Sequence, residues 1–199
     1  MVYIIIFSVI SYLIGSVNSA IIISKRAYGK DIRNLESRNA GATNMMRAFG
    51  KKTGFIVFLL DFSKGFLSVL IAKSAVAFFN APFETVLFSA FFAVFGHIFP
   101  IYFKFKGGKG VATLAGTAFA LMPVITIALL ILFAIIVAAT KIVSLASGIC
   151  AAVLPIAAYF HAPNHKNELF IFGCCCAALM IIKHLPNIER LLDGNERKL

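Results

Sequence analysis

Residues 111–139, VATLAGTAFALMPVITIALLILFAIIVAA, form an uncharged run of 29 residues, and its division decides how often the chain crosses a membrane. As one helix, at about 1.5 Å per residue, it would be roughly 43 Å long, more than a tilted span of a bilayer core needs. Pro123 has no N–H for a helix ladder and turns the residue before it away from helical geometry. A short helix, a tight reversal and a second helix are therefore predicted.

Outward from this run lie five more apolar stretches near bilayer length, predicted as helices at 2–24, 54–79, 84–103, 145–160 and 168–183. The total is seven transmembrane helices. The chain has 199 residues, of which 60% are hydrophobic, and its mean hydropathy is +0.92. Lipid is thus the solvent for its surface, and the fold class is an all-α integral membrane protein. Nothing between the runs resembles a linker, so residues 1–199 read as a single domain. The first run lacks a basic stretch before it and a small-residue cleavage site after it, so it reads as a retained span.

With seven crossings, every basic side chain except Lys64, Lys73 and Lys166 falls on one face. By the positive-inside rule that face is cytoplasmic, with the N-terminus outside and the C-terminus inside. Six crossings would split the basic loops between both faces. The first part of the divided run, Val111 to Leu121, is too short to cross unless the bilayer thins or the preceding glycines add helix. The net charge of +11 is spread over short loops at a membrane surface, which suits anionic lipid or small anions, and no nucleic-acid partner is expected.

The cytoplasmic loops carry the chemistry. Phe105-Lys106-Gly107-Gly108-Lys109-Gly110 reads as an anion cradle, with backbone amides that can close around phosphate and two lysines beside them. It is not the nucleotide P-loop, which needs a glycine five positions before Gly108 and a Ser or Thr after Lys109. The first loop supplies Ser37, Asn39, Gly41, Thr43, Asn44 and Arg47, short donors and a guanidinium suited to a phosphate or a polyol. Ser144 lies near a helix start, where either an anion or a simple cap is served. His184, Asn187 and Arg190 follow at spacing three, although Pro186 interrupts regular helix there. Asp61 and Lys64, three apart, can pair within the membrane. His97 reads as packing beneath the glycine loop.

Several chemistries lack their residues. Cys150, Cys174, Cys175 and Cys176 lie in apolar stretches, and three adjacent thiols point in different directions around a helix, so no metal site is predicted. Neither a Gly-x-Ser-x-Gly elbow nor a His-x-x-x-x-Asp acyltransferase signature occurs. No aspartate cluster suits paired divalent metals. The site is expected to be cationic, free of metal and without a cofactor.

Three stretches, SRNAGATNMMR at 37–47, GHIFPIYFKFKGGKGVAT at 96–113 and HLPNIERLLDG at 184–194, make the chain resemble the bacterial acyl-phosphate-dependent glycerol-3-phosphate acyltransferases. GSVNSA at 15–20, LDFSKG at 60–65 and VSLAS at 143–147 extend the resemblance over almost the whole length. The resemblance implies transfer of a fatty acyl group from acyl phosphate to sn-glycerol 3-phosphate at the inner membrane of a bacterial cell, with the site on the cytoplasmic side. It further implies a soluble acyl-phosphate-producing partner. Carried over residue by residue, Ser37, Arg47, Lys109, Ser144, His184 and Asn187 shape the catalytic site. Asn39, Gly41, Thr43, Asn44, Lys106, Gly107 and Gly108 lie in its phosphate-binding loops. The family's Gly-Ser-Gly-Asn appears here as Glu36-Ser37-Arg38-Asn39, so a turn needing positive φ would be strained. The competing reading is a transporter of phosphate or a phosphorylated metabolite. Its substrate groups belong near the bilayer midplane, whereas these polar residues gather at one surface.

Overall fold

The computed structural model describes residues 1–161 and 163–199, and among these every regular element is helical. Two compact units divide the chain, residues 1–121 and 122–199. In the first, α1 (Val2–Ser16) and α2 (Ser19–Tyr28) lead to α3 (Ala42–Phe49), α4 (Lys51–Phe79), α5 (Glu84–Ile98) and α6 (Val111–Leu121). The second holds α7 (Pro123–Thr140), α8 (Val143–His161) and α9 (Lys166–Leu192).

The first predicted helix is broken. Val17 is extended, and Asn18 caps α2 by accepting the Ile21 N–H at 3.0 Å. An Asn inside an apolar run competes for the backbone in this way and starts a new helix. The freed Val17 carbonyl accepts a hydrogen bond from Lys64 Nζ of α4 at 2.7 Å. A polar stripe on α1, Ser8, Ser11 and Ser16, is buried, and α1 packs along α5. Close approach there depends on two glycines, because a Cβ on Gly15 would overlap the Ala93 carbonyl and one on Gly96 would overlap that of Tyr12. This is the small-residue packing that brings helices together in lipid.

The run that decides the span count divides where expected. Helix α6 ends at Leu121, Met122 is non-helical, and Pro123 opens α7 at a position where its missing N–H costs nothing. At 11 residues, α6 is about 16 Å long, short of a hydrocarbon core of about 30 Å. It packs on α4, whose Lys73 donates to the Ala120 carbonyl at 2.6 Å and satisfies its last turn. Among the described residues, six helical stretches are long and apolar enough to cross a membrane: Val2–Tyr28, Lys51–Phe79, Glu84–Phe103, Pro123–Thr140, Val143–His161 and Lys166–Leu192.

In the second unit, α8 packs on both α7 and α9. Pro186 does not end α9, which continues to Leu192. His184 and Asn187 consequently share one buried face of that helix.

Gly96→Val should lower thermal stability by about 1–3 kcal/mol, the usual cost of overpacking, as read by thermal unfolding in detergent. An unchanged midpoint would mean that α1 and α5 can separate without loss.

Candidate active site

The 29–50 segment of the first unit is organised by a single amide. Asn44 is buried, and its Nδ2 donates to the carbonyls of Ile32, Leu35 and Asn39 at 2.9–3.2 Å, while its Oδ1 accepts the Ser37 N–H at 3.0 Å. The expected substrate contact therefore gives way to another part: Asn44 shapes the turn that presents Ser37. Ser37, Asn39, Gly41, Thr43 and Arg47 are half-buried around it. Thr43 and Arg47 are four apart on α3 and share a face, Thr43 in its first turn and Arg47 in its last.

Glu36 and Arg38 both have positive φ, 46° and 57°. These are the two positions where the resemblance described above implies glycine. Left-handed backbone costs an L-residue about 1–2 kcal/mol, so the turn around Ser37 holds strain on both sides.

The glycine loop is built differently from an open cradle of amides. The N–H groups of Phe105, Lys106, Gly107 and Gly108 donate to the carbonyls of Pro100, Phe103, Ile98 and His97, respectively, at 3.0–3.3 Å. They hold the loop's own shape, and positive charge at the site comes from Lys106 and Lys109 side chains. Glycine is needed at 107 and 108 for close approach. A Cβ on Gly107 would overlap the His97 carbonyl, and one on Gly108 would overlap His97 Nε2 and come within 2.5 Å of the Ala40 carbonyl.

Ala40 lies between Asn39 and Gly41, so the two cationic loops abut. A second link is Arg33, which grips both Asp31 carboxylate oxygens at 2.7–2.9 Å and donates through its remaining nitrogen to the Phe103 and Lys106 carbonyls at 3.1 and 3.3 Å. Lys25 also pairs with Asp31 at 3.2 Å. Chiefly through the Arg33 hydrogen bonds, the Asp31 carboxyl is held well below its ordinary value of 3.8. Sequence reasoning counted Arg33 only as a charge. The signal that could have found it is the Asp-x-Arg spacing, which lets the carboxylate orient the guanidinium.

The second unit has its own polar cluster. Ser144, His184 and Asn187 are all buried there. His184 Nδ1 donates to the Met180 carbonyl at 2.8 Å, which turns Nε2 toward Ser147 Oγ at 3.0 Å. Ser144 Oγ and Arg190 Nε donate to the Glu196 carboxylate, each at 2.7 Å, and Asn187 Nδ2 donates to the same carboxylate. Leu199 N–H reaches the Lys141 carbonyl at 2.8 Å, fastening the chain end beside it. Burial raises the Glu196 carboxyl, but these three donors outweigh it and leave the group below its ordinary 4.5. Sequence reasoning missed Glu196, because nothing in a polar tail shows that it folds back onto α9.

The model of the family described as glycerol-3-phosphate acyltransferase matches residues 5–194. A glycerol-3-phosphate acyltransferase of Fusobacterium nucleatum is 40% identical over 193 residues, covering 96% of each chain. One from Aquifex aeolicus is 41% identical over 190 residues, again 96% of each. Two crystal structures of PlsY, an integral membrane glycerol 3-phosphate acyltransferase, share the fold. The glycerol 3-phosphate form has a TM-score of 0.87 at 37% identity, and the lysophosphatidic acid form 0.86 at 34%; each comparison covers 98% of this chain and 95% of the other.

Glu36→Gly and Arg38→Gly should each raise thermal stability by roughly 0.5–1 kcal/mol, because relief of strain exceeds the added entropy of the unfolded chain. A lower unfolding midpoint in both would show that the turn is not strained. Acid acts through Asp31 and Glu196. Their folded values lie below 3.8 and 4.5, so their stabilisation is complete above those values and fades as pH falls through the folded ones. Glu196→Gln should therefore lower the midpoint at pH 7, and the difference from wild type should shrink by about pH 3.5. A difference that grows in acid would contradict this.

Proposed function

Because the chain belongs to the glycerol-3-phosphate acyltransferase family, we propose that it transfers a fatty acyl group from acyl phosphate to the 1-hydroxyl of sn-glycerol 3-phosphate. The products are 1-acyl-sn-glycerol 3-phosphate (lysophosphatidic acid) and inorganic phosphate, in the first acylation of phospholipid synthesis. The observation that carries this reading is the abutment of two cationic loops in one unit, Ala40 against Gly108, with Arg33 joining their backbones. Two anionic substrates repel one another, and adjacent cations offset that repulsion while aligning them. The transporter reading loses its support, since the matched relatives are acyltransferases.

Lys109 and Lys106 hold one phosphate. Arg47, Thr43 and the 37–41 turn hold the other, with Ser37 oriented by Asn44. The C1 oxygen attacks the acyl carbonyl carbon, the bond from that carbon to the phosphate oxygen breaks, and the hydroxyl proton passes to phosphate. An acyl phosphate is already activated, so neither a metal nor an acyl-enzyme is required. Ser144, His184 and Asn187 join the catalytic set through the motif resemblance alone. Within the first unit, Ser37 steadies the oxyanion.

The family match runs through both units, which supports treating residues 1–199 as one acyltransferase domain. The charge distribution supports seven crossings, counting α6, with the N-terminus outside and both cationic loops at the cytoplasmic face of a bacterial inner membrane. The family resemblance implies a soluble acyl-phosphate-producing enzyme as partner.

Purified protein given acyl phosphate and glycerol 3-phosphate, without metal, acyl-CoA or acyl carrier protein, should release phosphate only when both substrates are present. Activity with acyl-CoA but none with acyl phosphate would overturn the donor. Lys109→Ala should lower turnover about 10²-fold or more; near-normal turnover would remove Lys109 from the chemistry.

A further inference from the structure

Beneath the glycine loop lies a buried charged cluster to which the reaction assigns no part. Asp61 and Lys64 of α4 and His97 of α5 are 1%, 7% and 3% exposed. Lys64 Nζ donates to the Val17 carbonyl at 2.7 Å, lies 2.9 Å from His97 Nδ1, and pairs with Asp61 Oδ1 at 2.9 Å. His97 Nδ1 is itself 3.7 Å from that carboxylate oxygen. An ammonium has only hydrogens to offer, so Nδ1 accepts and the ring hydrogen sits on Nε2. With three acceptors around it, Lys64 is committed internally and is not a substrate ligand.

Buried ion pairs are weak sources of stability, since apolar residues of similar volume serve as well or better. What this one supplies is position. Two paths lead from the ammonium to the two cationic loops. Through His97, the path reaches the glycine loop: the His97 carbonyl accepts the Gly108 N–H at 3.2 Å, the Ile98 carbonyl accepts that of Gly107 at 3.2 Å, and Nε2 faces Gly108 so closely that no Cβ fits. Through Val17, the path reaches the other loop: the next residue, Asn18, donates to the Ala40 carbonyl at 3.3 Å, and Ala40 abuts Gly108.

We propose that Asp61, Lys64 and His97 form a positioning network that sets the spacing between the two loops holding the substrates' phosphates. The three residues touch neither substrate. The proposal rests on the acyltransferase reading of those loops. Removing one charge leaves its partner buried and unpaired, so the informative variant removes both, Asp61→Leu with Lys64→Met. His97→Asn keeps an acceptor near the position of Nδ1, whereas His97→Leu keeps none.

The full-length protein is assayed for turnover, for KM of each substrate, for thermal unfolding, and for trypsin cleavage after Lys106 and Lys109 well below the unfolding temperature. The double variant should fold but melt below wild type, because the Val17 carbonyl loses its donor, and well below its melting temperature it should show KM for at least one phosphate substrate raised about tenfold or more and faster cleavage of the glycine loop. His97→Asn should recover most of what His97→Leu loses in KM. Both KM values within twofold of wild type, with unchanged cleavage, would overturn the network's role. If the double variant fails to fold, the two His97 variants decide: equal KM values for Asn and Leu would overturn it. A wild-type protein inactive with these substrates would instead refute the reaction, and the cleavage comparison would still test the positioning.

Discussion

A backbone carbonyl without a donor costs several kcal/mol inside a bilayer, and among the described residues two helix interruptions leave such carbonyls at Val17 and in the last turn of α6. Both interruptions are answered from the same helix. Lys64 of α4 covers the Val17 carbonyl where α1 gives way to α2, and Lys73 covers Ala120 in the last turn of α6. The two lysines sit nine residues apart on α4, and the four methylene groups of each let the ammonium reach the break. Irregular backbone, which a functional loop requires, becomes tolerable in lipid because a cation is delivered to each free end.

Single side chains with several donors shape the loops in a similar way. Asn44 uses one side-chain amide to gather three carbonyls and an N–H, and Arg33 uses one guanidinium to hold a carboxylate and two carbonyls of a distant segment. The amides of residues 105–108 in the glycine loop are taken up by carbonyls of residues 97–103 just before it, so the loop is fastened to the end of α5 and its lysines are aimed by its shape. Rigid placement of charge matters more than the number of charges when two phosphates must be brought together against their repulsion.

Much of this is legible in the residues alone. Membrane-length runs, the boundary at Pro123 and the strain at Glu36 and Arg38 follow from hydropathy, proline geometry and the absence of glycine where the family has it. The loops that carry Ser37, Arg47 and Lys109 stand out by their polar residues. Less is legible where the answer lies in distant packing. The break at Val17 depends on Asn18 finding both a helix start and Ala40. The persistence of α9 through Pro186 depends on its buried face and not on local propensity. Asn44 resembles its neighbours Asn39 and Thr43 in sequence, and only burial separates an organiser of the turn from a ligand.

Residues 196–199 fold back onto the polar cluster of the second unit. Glu196 is gripped by three donors, and Leu199 closes onto Lys141, so the last four residues are stitched into the second unit. A chain cut after Gly194 would lose this stitching and leave Ser144, Asn187 and Arg190 without their shared acceptor. Residues 195–199 are therefore a poor place for a cut or an insertion in this protein.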